Sequence, residues 1–138
     1  PVSADENDNY RRSIYVHVKR SLRHQMLADF DQADTDAPCA VRFATTVPTQ
    51  ALTMLNSEFV NENAVVFADR LRERGGSLEE QIAYGLSLVL QRNAEAGEIE
   101  ELVELYKDLK TDANLSDRDA LDRVALLALN LNEFVYLD

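Results

Sequence analysis

With 138 residues, 46% of them hydrophobic and 28% charged, the chain has the composition of an ordinary globular domain that buries one modest core. No apolar run reaches the roughly 18 residues that a membrane-crossing helix needs, and the N-terminus lacks the charged-then-apolar order of a signal peptide. Fourteen Lys and Arg against 25 Asp and Glu give a net charge of −11, which repels a phosphate backbone and argues against a nucleic-acid partner.

The chain opens at Pro1 on the polar stretch PVSADENDN, so residues 1 to 9 are expected to be a flexible tail, and residues 10 to 138 a single helical domain cut from a longer protein. Cys39 is the single cysteine, too few for an internal disulfide, a C-x-x-C-H haem attachment or a structural zinc site. Charge is unevenly placed. Residues 10 to 28 hold Arg11, Arg12, Lys19, Arg20 and Arg23 and no acid, whereas residues 46 to 138 hold 8 basic and 18 acidic residues. The simplest partner for the basic segment is that acidic body.

In chain order, Ile14, Val16 and Val18 alternate with Tyr15, His17 and Lys19, which suits a strand, although Ile14, Val18 and Leu22 also fit a helical stripe. SLRHQMLADF predicts a short helix started by Ser21. Residues 31 to 47 show no sustained period and contain Pro38, so they predict a long ordered loop. Pro48 suits the first turn of a helix running to about Asn56, with Thr46 as its cap. After Ser57 a helix places Phe59, Val60, Ala64, Phe67, Ala68 and Leu71 on one side and stops at Gly75 and Gly76.

Ser77 and Glu80 form a capping box ahead of Leu78, Ile82, Leu86, Val89 and Leu90 at helical spacing, and Gly85 inside that helix predicts a close crossing. A further helix over about Glu98 to Lys110 carries Ile99, Leu102, Val103, Tyr106 and Leu109. Ser116 with Asp119 caps the last, whose Leu121, Val124, Ala125, Ala128 and Leu129 point inward, with Leu126 and Leu127 widening the face. Apolar around so much of its circumference, it should be the central helix of a bundle. The fold class is mainly α, a compact bundle of five or six helices with an irregular, partly extended N-terminal third.

One phrase occurs twice: ALTMLNSEFV at 51 to 60, and ALLALNLNEFVYLD at 125 to 138. An apolar helix ending in Asn, followed by Glu-Phe-Val, suits a helix stop, because Asn tolerates the left-handed conformation that ends helices. Phe59 and Phe134 would then fold back onto the core. Arg12, Arg20 and Arg23 would pair with internal carboxylates or carbonyls, and replacing Arg12 or Asn56 by Ala would cost on the order of 1 to 3 kcal/mol through unsatisfied buried groups. The rival reading gathers Arg12, Tyr15, Arg20, Gln50, Asn56, Asn132 and Glu133 around a polar cleft of an enzyme, with hydrolysis of a polysaccharide or sulfated glycan as the guess. A third reading gives Asp29, Asp31, Asp34 and Asp36 a weak calcium or small-ligand site, although this stretch lacks the Gly and distal Glu of an EF-hand. His17, His24 and Cys39 offer too few ligands for a metal centre, no G-x-S-x-G or phosphate-binding Gly loop occurs, and no catalytic motif is found.

Taken in order, RRSIYVHVKRSLRHQMLADFD, DTDAPC, TTVPTQALTMLNSEFV and LNLNEFVYLD resemble the C-terminal part of the PSD-type domain of unknown function of planctomycetes and related bacteria. The R-R-S-x-Y start is matched by Arg11, Arg12, Ser13 and Tyr15. The T-x-P-x-Q-A-L-x-x-L-N block is matched by Thr46, Pro48, Gln50, Ala51, Leu52, Leu55 and Asn56, and the closing N-E-F-x-Y/F-x-D by Asn132, Glu133, Phe134, Tyr136 and Asp138. Gln25 stands where the family pattern has Pro, and Ala40, Val41 and Arg42 stand where Pro-x-Arg is usual. The resemblance implies a module of a large exported, extracytoplasmic protein, often carrying a cytochrome-c-like domain elsewhere, whose partners are the other domains of the same parent. It implies no cofactor in this segment.

Overall fold

A computed structural model describes residues 12 to 15, 24 to 33, 45 and 47 to 136. Among these residues there are seven α-helices and one short 3₁₀ turn, and no strand. The helices are α1 (Gln25–Asp29), α2 (Pro48–Asn56), α3 (Glu58–Arg74), α4 (Leu78–Leu90), α5 (Ala96–Thr111), α6 (Asp117–Ala128) and α7 (Asn132–Val135). The mainly α reading holds, with one very short helix, α7, beyond the five or six expected. The chain forms two compact units, Pro1–Gln50 and Ala51–Asp138, whose boundary falls inside α2.

In the first unit, Ser13–Tyr15 is a 3₁₀ turn closed by the Tyr15 N–H donating to the Arg12 carbonyl at 2.9 Å. The alternation read as a strand is therefore overturned at these residues, because two β-branched or aromatic residues in sequence do not make a strand without a neighbour to pair with. Its remainder, from Val16 to Lys19, lies outside the described residues. Helix α1 starts at Gln25, not after Ser21, and His24 precedes it without a side-chain cap. Gln25 Nε2 donates to Asp29 Oδ1 at 2.9 Å, an i,i+4 brace on this five-residue helix.

The second unit follows the apolar periodicity closely. Ser57 Oγ accepts the Val60 N–H to start α3, whose buried face is Val60, Ala64, Ala68 and Leu71, and Gly75 at φ +70° ends it. Helix α4 begins with the full capping box: Ser77 Oγ accepts from Glu80 N–H at 3.2 Å, and Glu80 Oε2 accepts from Ser77 N–H at 2.8 Å. Its buried face is Ile82, Gly85, Leu86 and Val89. Gly85 is the crossing point, because a Cβ there would meet Leu71 Cδ1 at 3.0 Å. Absence of a side chain lets α3 and α4 approach.

Helix α6 buries Ala120, Leu121, Val124, Ala125, Leu126 and Ala128, and it packs against α3, α5 and α4. It is the central helix, as its composition predicts. Burying Leu121 and Leu126 removes enough apolar surface to contribute roughly 1.5 to 3 kcal/mol each, whereas Leu127, expected to widen the buried face, is 37% exposed.

Two aromatic expectations fail. Phe59 is 41% exposed and Phe134 is 44% exposed, so neither folds fully back onto the core. For Phe59 the reason is angular: it stands about 100° round the helix from Val60 and shares its line with Asn63, Val66 and Arg70 rather than with the buried face.

Candidate functional site

Of the described polar residues singled out in the sequence, Gln50 is tied within the first unit, and Asn56, Asn132 and Glu133 each meet a different partner within the second. In the first unit the node is Gln50, only 1% exposed. It occupies the third position of α2, after Pro48, and its Oε1 accepts from the Val47 N–H at 3.4 Å, a side chain reaching back over the helix start. Its Nε2 donates to the Asp29 carbonyl at 3.0 Å and to the Thr45 carbonyl at 3.0 Å. One amide thus joins the end of α1, the far end of the long loop and the start of α2. The expected cap, Thr46, lies outside the described residues.

A second tie closes the same loop. Asp31, held at φ +58°, accepts from the Thr45 N–H at 2.6 Å and from Thr45 Oγ1 at 2.9 Å. Both described members of the acidic stretch are therefore engaged by the protein, Asp29 by Gln25 and Asp31 by Thr45. Asp34, Asp36 and Arg20 lie outside the described residues. Among the described residues no group of three or more His, Cys, Asp or Glu is placed to hold a metal ion, and no helix is long and apolar enough to cross a membrane. Arg12 and Tyr15 are exposed, so the expected cost of removing a buried Arg12 does not apply.

In the second unit the repeated phrase does the same local work twice. Asn56 Nδ2 donates to the Leu52 carbonyl at 2.9 Å, and Asn130 Nδ2 donates to the Leu126 carbonyl at 2.7 Å. Each amide binds the carbonyl four residues back, where a helix runs out of N–H donors. Neither Asn takes a left-handed backbone conformation, so the side chain and not the φ angle marks the stop. Asn56 is exposed, which also lowers the expected cost of its removal. The counterpart of Asn56 is Asn130. Asn132, the residue selected from the sequence, is an exposed first residue of α7 whose carbonyl accepts from the Tyr136 N–H at 2.8 Å.

Glu133 belongs to an ion cluster that the sequence did not disclose. Gln91 at φ +55° ends α4 and turns Arg92 outward. The Arg92 guanidinium donates to both carboxylate oxygens of Glu98, at 2.6 and 2.9 Å, and to Glu133 Oε2 at 3.1 Å. Glu98 Oε2 also accepts from the Glu95 N–H at 2.7 Å, at the start of α5. Arg92 first, and that backbone N–H second, hold the Glu98 carboxyl down at about 2, while the two glutamates raise the Arg92 guanidinium. One cation fastens the end of α4, the start of α5 and α7.

Arg72 plays a comparable part between α3 and α6. Its guanidinium donates to Asp69 at 2.5 Å, to Asp122 at 2.5 Å and to the Arg118 carbonyl at 2.7 Å, and Arg118 in turn reaches Asp69 at 3.1 Å. Burial pushes the Arg72 guanidinium down, and the Asp122 and Asp69 carboxylates more than reverse it, so the net shift is upward.

An open cleft of about 670 Å³ also lies on this unit, against Arg74, Gly76, Ala83, Tyr84, Ser87 and Asn93. None of the described residues selected from the sequence lines it.

No curated protein and no solved structure matches this chain. A sequence model of the family PSD1, protein of unknown function (DUF1553), matches residues 2–106, ending inside α5 and before the closing N-E-F block. The match takes in both the Gln50 node and the Ser77 capping box, and it covers most of the chain: the protein belongs to the PSD1 family of proteins of unknown function.

Proposed function

We propose that this chain is a non-catalytic helical module, C-terminal in a larger exported protein, whose role is to make structural contacts with other domains of that protein or with a partner. The observation that carries the reading is the fate of Gln50. The most deeply buried of the polar residues proposed for a cleft, it binds three backbone groups of its own chain and offers none of its amide to a substrate. Glu133 supports it, since its carboxylate is engaged by Arg92, and Asn56 supports it through its bond to the preceding turn. Export and a C-terminal place rest on the sequence resemblance alone.

The test is to produce the longer protein with and without residues 10 to 138 and to compare protease resistance and turnover of candidate glycans. Loss of folding in the remainder supports the structural role. A remainder that stays folded but loses a measurable turnover overturns it.

A further inference from the structure

The cleft on the second unit has an electrostatic character that sets it apart from the ion clusters around it. Arg74 lies over the Tyr84 ring, 5.1 Å from its centroid, and Arg70 donates through Nη2 to the Tyr84 hydroxyl at 3.4 Å. Their i,i+4 spacing puts both guanidinium groups on one side of α3, converging on a single phenol from α4. Among the described residues neither arginine meets a carboxylate, whereas Arg72, Arg92 and Arg118 of the same unit each hold at least one. In a chain of net charge −11, two cations side by side without a carboxylate between them form a locally positive spot on a negative body.

The hydrogen-bond inventory of the spot is one-sided. The Tyr84 oxygen accepts from Arg70, which leaves its own proton to be donated. The Ser87 hydroxyl is turned away, donating to the Tyr84 carbonyl at 2.7 Å. Glu80, a carboxylate that also lines the cleft one helical turn before Tyr84, is engaged by the Ser77 N–H at 2.8 Å. With Arg74 covering one face of the ring, recognition here runs through charge and donated hydrogen bonds rather than through stacking of a flat ligand. Guanidinium forks match the paired oxygens of a carboxylate, phosphate or sulfate.

We propose that Arg74 and Tyr84, which line the cleft, together with Arg70, which reaches the Tyr84 hydroxyl beside it, form a binding site for an oxyanion group, a carboxylate or a tetrahedral phosphate or sulfate, carried by a ligand lying in the cleft. This goes beyond the structural role above and does not depend on it.

The test is a titration of the isotope-labelled chain with phosphate, with sulfate and with succinate at constant ionic strength, followed by NMR shifts of the Arg70, Arg74 and Tyr84 amides. Saturable shifts are expected in at least one titration, and which anion saturates separates tetrahedral from carboxylate ligands. Arg74→Ala and Arg70→Ala should each raise the apparent Kd by about tenfold, the loss of a charge-assisted bond. Arg123→Ala, which removes another exposed cation that among the described residues bonds to Asn61 alone, should leave it unchanged. Thermal melting checks that the variants stay folded; should either alanine variant unfold, Arg74→Gln and Arg70→Gln replace them with the same expected loss. No saturable shift with any of the three anions, or an equal loss from Arg123→Ala, overturns the site.

Discussion

Among the described residues, the ties within the two units differ in kind. Residues 51 to 136 bury a continuous set of apolar side chains at helical spacing, from Val60 on α3 through Ile82 and Leu86 on α4 to Leu121 and Val124 on α6. Within the first unit the described ties are polar: Gln50 to three backbone groups, and Asp31 to Thr45. Apolar packing spreads its stabilisation over many small contacts and tolerates the loss of one polar group. A polar node concentrates it in one side chain, whose removal leaves several buried donors or acceptors without partners.

Leu86→Ala strikes one of the largest fully buried side chains of the apolar unit, at 2% exposure next to Gly85 at the crossing. The expected loss is about 2 to 5 kcal/mol, read from the midpoint of urea unfolding, because the methyl groups are lost and the helices close only partly over the cavity. A loss below about 1 kcal/mol would mean that this crossing repacks freely and that periodicity overstates its rigidity.

Gln50→Ala tests the polar node in turn. About 1 to 3 kcal/mol is expected, with faster hydrogen exchange at the Val47 amide, whose acceptor is removed. Arg12→Ala, at an exposed residue of the same unit, should change stability by less than about 0.5 kcal/mol. Equal effects from the two substitutions would erase the contrast between node and surface.

The smallest expected effect lies in the Arg92 cluster and depends on pH. Glu98 has its folded pKa lowered from the ordinary 4.5 to about 2, so the stabilisation it supplies is fully present above pH 4.5 and is lost as pH falls toward 2. Glu98→Gln should flatten that part of a melting-temperature profile taken between pH 6 and pH 2, and lower the plateau above it slightly. A profile of unchanged slope in the variant would assign the acid sensitivity to other carboxylates, with Asp117, lowered by Lys110, the next to examine.

How much of this was legible beforehand depends on the distance in sequence between interacting groups. Ser57, Ser77 with Glu80, Ser116 with Asp119, and Gly75 could be read because each acts within three residues of itself. Gly85 could be read because a glycine inside an apolar stripe has few other reasons to be there. By contrast Gln50 meets Asp29 across 21 residues, Arg92 meets Glu133 across 41, and Arg72 meets Asp122 across 50. No local pattern distinguishes those arginines from Arg70 and Arg74, which meet no carboxylate among the described residues. The repeated phrase sits between these cases: its helix-stopping role was readable, but whether Asn130 or Asn132 matches Asn56 depended on which carbonyl stood four residues back.

The sequence by itself determined helices α2 to α6, the Ser77 and Ser116 caps and most of the face each helix buries, since these follow from backbone hydrogen bonding and from 3.6-residue periodicity acting over a few turns. Tertiary structure decided the pairing of charges distant in sequence and the burial of Gln50. An ion pair or a buried amide is fixed by where two distant segments come to lie, and any of the 25 carboxylates could have satisfied a given arginine until the packing of α3, α4 and α6 chose among them.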